Sequence, residues 1–316
     1  CMKIKNILMI VDPVSVLKPM TDTSLVLGRI LQNMGHHVFV SEVKDVSFGM
    51  GRIGFLAAEL ICHADKTFGS GSKTLMEDHF FDVILLRKEP PFDLDFLHLT
   101  YLLDRVDPRI PVINKPSSVR KYNEKLSALL FPEFIPNTLI SADTESAFDF
   151  YSQSKDGVVV KPIDDKWGNG VFKIAQGDPE AKKLIRDAVK NGKQFRIFQE
   201  FITGKTSRSE KRVTVLNGEI FVSYEKEAPK NDFRSNIHRG GSVHKTRLTA
   251  TEALVAGTVA KQMVKDGIYF AGLDILSGKL LEINVTCPGA LIESDFLYPK
   301  LAPLQKLADA VVEWAR

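Results

Sequence analysis

Cysteine is scarce in this chain. Cys1, Cys62 and Cys287 are too few and too scattered for a disulfide framework or a zinc site. Cys1 precedes Met2, which reads as the initiator, so Cys1 reads as an added residue. Strong charge of one sign is missing as well: 42 Lys and Arg stand against 39 Asp and Glu, a net +3, which argues for neither nucleic acid nor a membrane surface as partner. No long apolar run occurs. "NILMIV" near the start is a strand's length, far short of a signal or membrane-spanning segment. No G-x-G-x-x-G follows that run; "VDPVSV" stands there instead, which speaks against a dinucleotide-binding dehydrogenase. The histidines show no ligand spacing, and there is neither an internal repeat nor a low-complexity tract. What remains is 316 residues, 44% apolar and 26% charged. That composition suits a folded enzyme of two or three compact units, with the cytoplasm as the expected setting.

Strand and helix signals alternate through residue 115 at the spacing of βαβ units. Strands are expected at 6–11, 38–43, 82–87 and 111–114, with helices over 22–34, ending at Gly35, and over 94–105. This pattern predicts an open α/β sheet, with ligands beyond the carboxyl ends of its strands. Residues 49–76, rich in glycine, read as a loop-rich insertion. A helix is expected from Ser117 through "NEKLSALL". Then come a strand at 158–163, a glycine loop at 164–170, a strand "VFKIA", a helix at 179–190 and a strand at 195–202. "KRVTVLNGEIFVSYE" predicts a hairpin about Asn217-Gly218, followed by a polar segment, 225–242. Thr249 and Glu252 form a capping-box pattern opening a helix that Gly267 closes. Two more strands and a helix over 302–315 end the chain.

The last two strands carry the chemistry. Asp274, Glu282 and Asn284 are oxygen donors flanking the connection "SGK". Alternation puts Glu282 and Asn284 on one face and Leu281, Ile283 and Val285 on the other. A three-residue loop pairs Ile275 with Leu281 and sets Asp274 opposite Glu282; a two-residue loop puts the two acids on opposite faces. An oxygen-only set suits magnesium, which takes one or two carboxylates plus substrate phosphates. The bland alternative is a surface hairpin with a wet side. Phosphates also call for cations and amides. Lys125 and Lys161 offer the former, although a lysine ending an apolar strand also snorkels to solvent. Gly168 and Gly170 let backbone N–H groups approach an anion. Arg212 opens an apolar strand. Arg234, Asn236 and Arg239 precede Gly240-Gly241, as in a loop that covers phosphates, or as in a solvated basic turn.

These stretches together resemble the ATP-grasp superfamily and, within it, the bacterial glutathione synthetases. The resemblance is carried by "VDP", "LRKEPPFD", "NKPSSVRKYNEKL", "VVVKPID", "EKRVTVLNGE", "FAGLDIL" and "LLEINVTCPG", spread over nearly the whole chain. It implies an α/β (α+β) fold: an N-terminal open α/β preATP-grasp domain (1–122), then a central small lobe (123–203) and a C-terminal lobe with the metal site (204–316), clasping ATP between antiparallel sheets. Lys125, Lys161, Gly168, Gly170, Gln199 and Glu200 would contact ATP. Asp274, Glu282 and Asn284 would hold Mg2+, with Mn2+ as an alternative ion. Arg212, Arg234 and Asn236 would lie near the phosphates and the reacting carboxylate. Asp12, Ser24, Arg87, Lys88, Gly240, Gly241 and Cys287 would form the substrate side. Small peptide and amino-acid substrates are implied, and a homodimer or homotetramer.

The implied reaction is ligation through an acyl phosphate, with ADP and phosphate released. Departures gather at the substrate end. Glu227 stands where the family carries an arginine two residues before a proline, Ile292 where it carries one after "NVTSP", and Cys287 replaces that motif's serine. "FRSNIHRGG" is closer to the ribosomal-protein glutamate ligases. Two alternatives therefore stand beside glutathione synthesis: a ligase for another peptide or amino-acid pair, and a nucleotide-binding relative without catalysis.

Overall fold

The computed structural model describes residues 3–164, 169–202, 209–229, 241–289 and 291–315. Three sheets organise the chain. The first contains β1 (Asn6–Ile10), β2 (His37–Ser41), β3 (Val46–Gly49), β4 (Arg52–Cys62), β5 (Phe68–Ser70), β6 (Thr74–Glu77), β7 (Val83–Leu86) and β8 (Val112–Ile113). Its spine runs β3-β4-β2-β1-β7-β8, with β5 and β6 also paired to β4. The β2-β1-β7-β8 portion is parallel, as the alternating strand and helix signals imply, with α1 (Thr23–Asn33) and α2 (Leu94–Leu103) in the crossovers.

Residues 49–76 are not loop-rich. They form β4, β5 and β6, and β4 is an eleven-residue strand with antiparallel partners β2, β3, β5 and β6. The glycines that read as loop signals do two other jobs. Gly51, with φ of 79°, makes the turn from β3 to β4. Gly54 admits the Leu75 side chain of β6, whose Cδ1 lies only 3.0 Å from where a Cβ would stand.

The helix expected from Ser117 is also interrupted. α3 (Pro116–Lys121) stops at Tyr122, whose hydroxyl donates to Asp266 Oδ2 at 2.6 Å. Asn123 Oδ1 then accepts from the amides of Lys125 and Leu126, opening a separate 3-10 turn over Leu126–Leu130. An asparagine side chain that captures backbone amides competes with helix continuation.

The second sheet holds β9 (Thr138–Ser141), β10 (Val158–Pro162), β11 (Phe172–Ile174) and β12 (Arg196–Glu200), antiparallel in the order β11-β10-β12-β9. It packs on α4 (Thr144–Gln153) and α5 (Ala181–Ala188) around Ala147, Tyr151, Val158, Ile185 and Phe198. The third contains β13 (Ser209–Leu216), β14 (Glu219–Glu227), β15 (Ser242–Lys245), β16 (Phe270–Leu276) and β17 (Lys279–Asn284), in the order β15-β14-β13-β16-β17. Asn217 and Gly218, both with positive φ, make the two-residue turn from β13 to β14. The capping box forms at the start of α6 (Ala250–Lys265). α7 (Leu291–Leu297) and α8 (Pro303–Trp314) close the chain.

The first and third sheets share their apolar interior. Leu8, Ile10, Phe96 and Val119 belong to the same cluster as Val213, Val259, Leu273 and Ile283. A second cluster joins Met9, Leu25 and Val38 to Phe270, Leu291, Leu304 and Val311. The buried Asn114 fastens the seam: its Nδ2 donates to Phe270 O (2.7 Å) and Val285 O (2.9 Å), and its Oδ1 accepts from Tyr269 N and Phe270 N. The packing therefore makes one large body from the first and third sheets, and a small lobe, 138–200, with a core of its own.

Candidate functional site

The oxygen donors meet on the third sheet. Ser277 and Gly278 form a two-residue turn with φ of 50° and 78°, pairing Leu276 with Lys279 and Ile275 with Leu280. A register shift between Asp274 and Ile275 then absorbs Leu281, so Asp274 comes to lie opposite Glu282 after all. The Ile275–Leu281 pairing that a three-residue loop implied is absent, and the two-residue loop does not put the two acids on opposite faces. A β-bulge does the work assigned to a longer loop. The bulge also turns Leu281 away from buried Leu280 and Ile283 and into a cleft.

Asp274 is heavily engaged. Arg212, its partner across β13 and β16, donates Nε to Oδ1 at 2.6 Å and Nη2 to Oδ2 at 2.9 Å. Lys226 Nζ donates to Oδ1 at 3.0 Å and contacts Glu210. Asn284 Nδ2 reaches Gly272 O at 3.2 Å and lies 3.5 Å from Asp274 Oδ2. Gly272 makes room for this: a Cβ there would sit 3.1 Å from Arg212 Nη1. Burial would push the Asp274 carboxyl up, but Arg212 and Lys226 outweigh it and hold the group well below the usual range. Burial likewise disfavours charge on Lys226, and Asp274 with Glu210 more than compensates, raising it. Burial and the neighbouring Asp274 push Glu210 up, with Lys226 opposing.

Lys226 and Glu124 escaped the sequence reading. Strand alternation offered the signal for Lys226: on β14 it points inward with Tyr224 opposite Glu210 and Arg212, whereas Glu227 is exposed and faces His244 at 3.5 Å. The cation of this strand thus sits one residue before the position where an arginine is expected. Glu124 accepts from Thr286 Oγ1 at 3.1 Å, and its carbonyl takes the Ile283 amide. Burial first, then the charge of Glu282, push the Glu124 carboxyl up to about 7.

Between the small lobe and β17 lies a narrow cleft walled by Ile135, Ile140, Ile197 and Leu281, with Lys125, Thr138, Lys161 and Gln199 as its polar groups. Lys161 Nζ donates to Gln199 Oε1 at 3.0 Å, Gln199 Nε2 to Thr138 Oγ1 at 3.0 Å, and Lys125 Nζ to the Pro162 carbonyl at 2.8 Å. Lys161 is buried, so it does not snorkel. Alternation along β12 sends Glu200 elsewhere; its carboxylate accepts from Asn137 Nδ2. An apolar slot with a few convergent polar groups is what a small ligand uses. Gly170, with φ of 65°, is exposed at the mouth of its loop. Gly168, Arg234, Asn236, Arg239 and Gly240 lie outside the described residues; Gly241 is described and partly buried just before β15.

At the carboxyl ends of the first sheet, Asp12 pairs with Lys88 at 2.9 Å and accepts from the Glu89 amide. Arg87 is buried, donating to Ser24 Oγ (3.0 Å) and to the Pro288 carbonyl (3.2 Å). It brings β7 against the segment after β17, beside Cys287, whose thiol burial pushes up. Ser24 is buried under Arg87, and Ile292 packs into the apolar core. The structure thus brings together Arg212, Asp274, Glu282 and Asn284 as one group, Lys125, Lys161 and Gln199 as a second, and Asp12, Ser24, Arg87, Lys88 and Cys287 as a third. The cation donor set fits a hard divalent ion: two carboxylates and an amide, with no sulfur or imidazole.

Comparison with known proteins adds independent findings. Family profiles described as prokaryotic glutathione synthetase, N-terminal domain and ATP-grasp domain, match residues 5–120 and 124–297. A glutathione synthetase of Gloeobacter violaceus is 34% identical over 98% of this chain and 96% of its own. One of Nostoc sp. is 31% identical over 96% of each. In fold, the chain resembles the ATP-grasp ligase PsnB solved with minimal precursor, Mg and ADP: TM-score 0.62, 15% identity, covering 97% of this chain and 98% of that one. Among the described residues, no helix is long and apolar enough to cross a membrane.

Proposed function

The chain belongs to the prokaryotic glutathione synthetase family, and from that premise we propose that it is an ATP-dependent ligase joining γ-glutamylcysteine to glycine, with release of ADP and phosphate. The observation that supports this most directly is the junction at β17: Leu281 walls the cleft that holds Lys125, Lys161 and Gln199, and the next residue, Glu282, faces Asp274 and Arg212. A nucleotide in the cleft would direct its phosphates at that carboxylate and arginine face.

ATP would be gripped by the cleft walls and by Lys125 and Lys161. Asp274, Glu282 and Asn284 would hold the divalent cation, taken as Mg2+, which neutralises phosphate charge when bound. The donor carboxylate attacks the γ-phosphate to give an acyl phosphate, and the amine then displaces phosphate to form the amide. Protein acid–base chemistry contributes little to the first step; placement and charge neutralisation by Arg212, Lys226 and the lysines do the work. In the second, Arg212 is positioned to stabilise the tetrahedral oxyanion. Use of ATP supports a cytoplasmic setting. The alternation of β14 supports Lys226 as the inward cation of that strand, while the departure at Glu227 stands.

The test is steady-state ADP release with γ-glutamylcysteine and glycine against other amines and dipeptides. Glycine-dependent turnover is expected, and Glu282→Gln should lower it by about 10²–10³ with the fold intact, the loss of one strong transition-state contact. Robust turnover with another pair and none with glycine would refute glutathione synthesis. Near-normal activity of Glu282→Gln would refute the cation site.

A further inference from the structure

Asp274, the carboxylate at the centre of the site, starts out fully committed to cations. Arg212 donates to both of its oxygens, and Lys226 Nζ lies 3.0 Å from Oδ1. A divalent ion sits about 2.1 Å from a ligating oxygen, so it cannot share that lone pair with an ammonium and repels it as well. Water offers Lys226 little compensation, because its side chain is only 9% exposed. A charge displaced inside a low-dielectric face needs a second anion within reach.

That anion is present. Glu210 stands directly across from Lys226 on β13, on the same face of the sheet as Arg212, and its carboxylate already touches Nζ. Two positions apart on β13, Glu210 pairs with Lys226 of β14 and Arg212 with Asp274 of β16. Glu225 and Glu227, the carboxylates on either side of Lys226 in sequence, lie by strand alternation on the opposite face of β14 and cannot serve. We propose that Glu210 is a positioning residue that takes Lys226 when a divalent cation enters, freeing Asp274 Oδ1 to act as a ligand. The proposal rests on the reading of Asp274 as a cation ligand. Without the cation, Lys226 bridges the two carboxylates; with it, Lys226 remains neutralised on Glu210 alone, still close enough to face phosphate oxygens.

A cycle of Glu210→Gln, Lys226→Gln and the double variant tests this through cation binding itself. The readout is the EPR signal of free Mn2+ in the presence of the β,γ-imido analogue of ATP, with circular dichroism to verify folding. Glu210→Gln should weaken Mn2+ binding about tenfold, because Lys226 then has only Asp274 to hold. Adding Lys226→Gln on that background should recover the loss, while Lys226→Gln alone should change affinity little. Equal effects of Lys226→Gln in both backgrounds would mean that the pair acts only through the general field of the site, and would overturn the exchange. So would unchanged binding by Glu210→Gln. If that variant does not fold, Glu210→Asp replaces it, with partial weakening expected and unchanged affinity counting against the proposal. Asp274→Asn separates the premise: if it binds Mn2+ normally the cation site and the exchange fall together, whereas lost binding there with unaffected Glu210 variants overturns the exchange alone.

Discussion

Arg212 and Asp274 face each other across adjacent strands and are joined by two parallel hydrogen bonds, at 2.6 and 2.9 Å. A fork on a carboxylate fixes the guanidinium plane as well as its charge. The consequence is an arginine whose remaining N–H groups are aimed before any substrate arrives, rather than recruited by it.

Arg212→Lys should therefore behave as a severe change. A lysine keeps the charge and loses the fork, leaving one donor where two held Asp274. The expected loss in kcat/KM is about a hundredfold, near 3 kcal/mol of transition-state stabilisation, with ATP KM changed much less. Initial rates over a matrix of ATP and acceptor concentrations separate the two. A rate within threefold of the parent would show that the guanidinium does not face the reacting centre.

Glu124 makes a prediction about pH. Its carboxyl titrates near 7 in the folded protein against an ordinary 4.5. Between those values the native state binds more protons than the unfolded chain, so stability falls as pH rises through that window. The full penalty, about 3 kcal/mol from the size of the shift, is present above pH 7 and absent below pH 4.5. Glu124→Gln, which carries no titrating proton, should remove it. Urea midpoints from pH 4 to 8 without divalent cations should show parent and variant diverging as pH rises, the variant being the more stable at pH 8. Parallel curves would show that Glu124 is not the group responsible.

Asn114→Ala should loosen the seam of the large body. Four hydrogen bonds disappear, leaving two carbonyls and two amides without their partner. Each buried group left unpaired costs about 1–3 kcal/mol, so a loss of at least 3 kcal/mol is expected. Equilibrium denaturation measures it directly. A loss below about 1 kcal/mol would mean that water enters and replaces the amide.

Particular residues show how much of this was legible beforehand. The parallel strands, the Asn217-Gly218 turn and the Thr249–Glu252 cap were readable because each rests on local chemistry: apolar period, positive φ, and a side chain that reaches its own backbone. The approach of Asp274 to Glu282 was one of two outcomes left open, and it was tied to the longer loop rather than the two-residue turn that forms. A bulge leaves no mark in composition, so turn length and register could not be separated until Leu281 was seen in the cleft. The glycines of 49–76 misled because glycine signals a turn at position 51 and close packing at position 54, and only the neighbouring Leu75 distinguishes them. Lys226 was hidden by its setting: a lysine between two glutamates reads as surface until strand parity shows which of the three points inward.

The interior shared by the first and third sheets has a consequence for synthesis. The cluster that holds Leu8 and Phe96 is completed by Leu273 and Ile283, more than 170 positions later in the chain, whereas the small lobe closes its own core between Ala147 and Phe198. Emerging from the ribosome, the chain completes its middle first. The opening βαβ units must wait with an exposed apolar face until the final hairpin is translated, which makes the nascent N-terminal half the stretch most in need of chaperone cover.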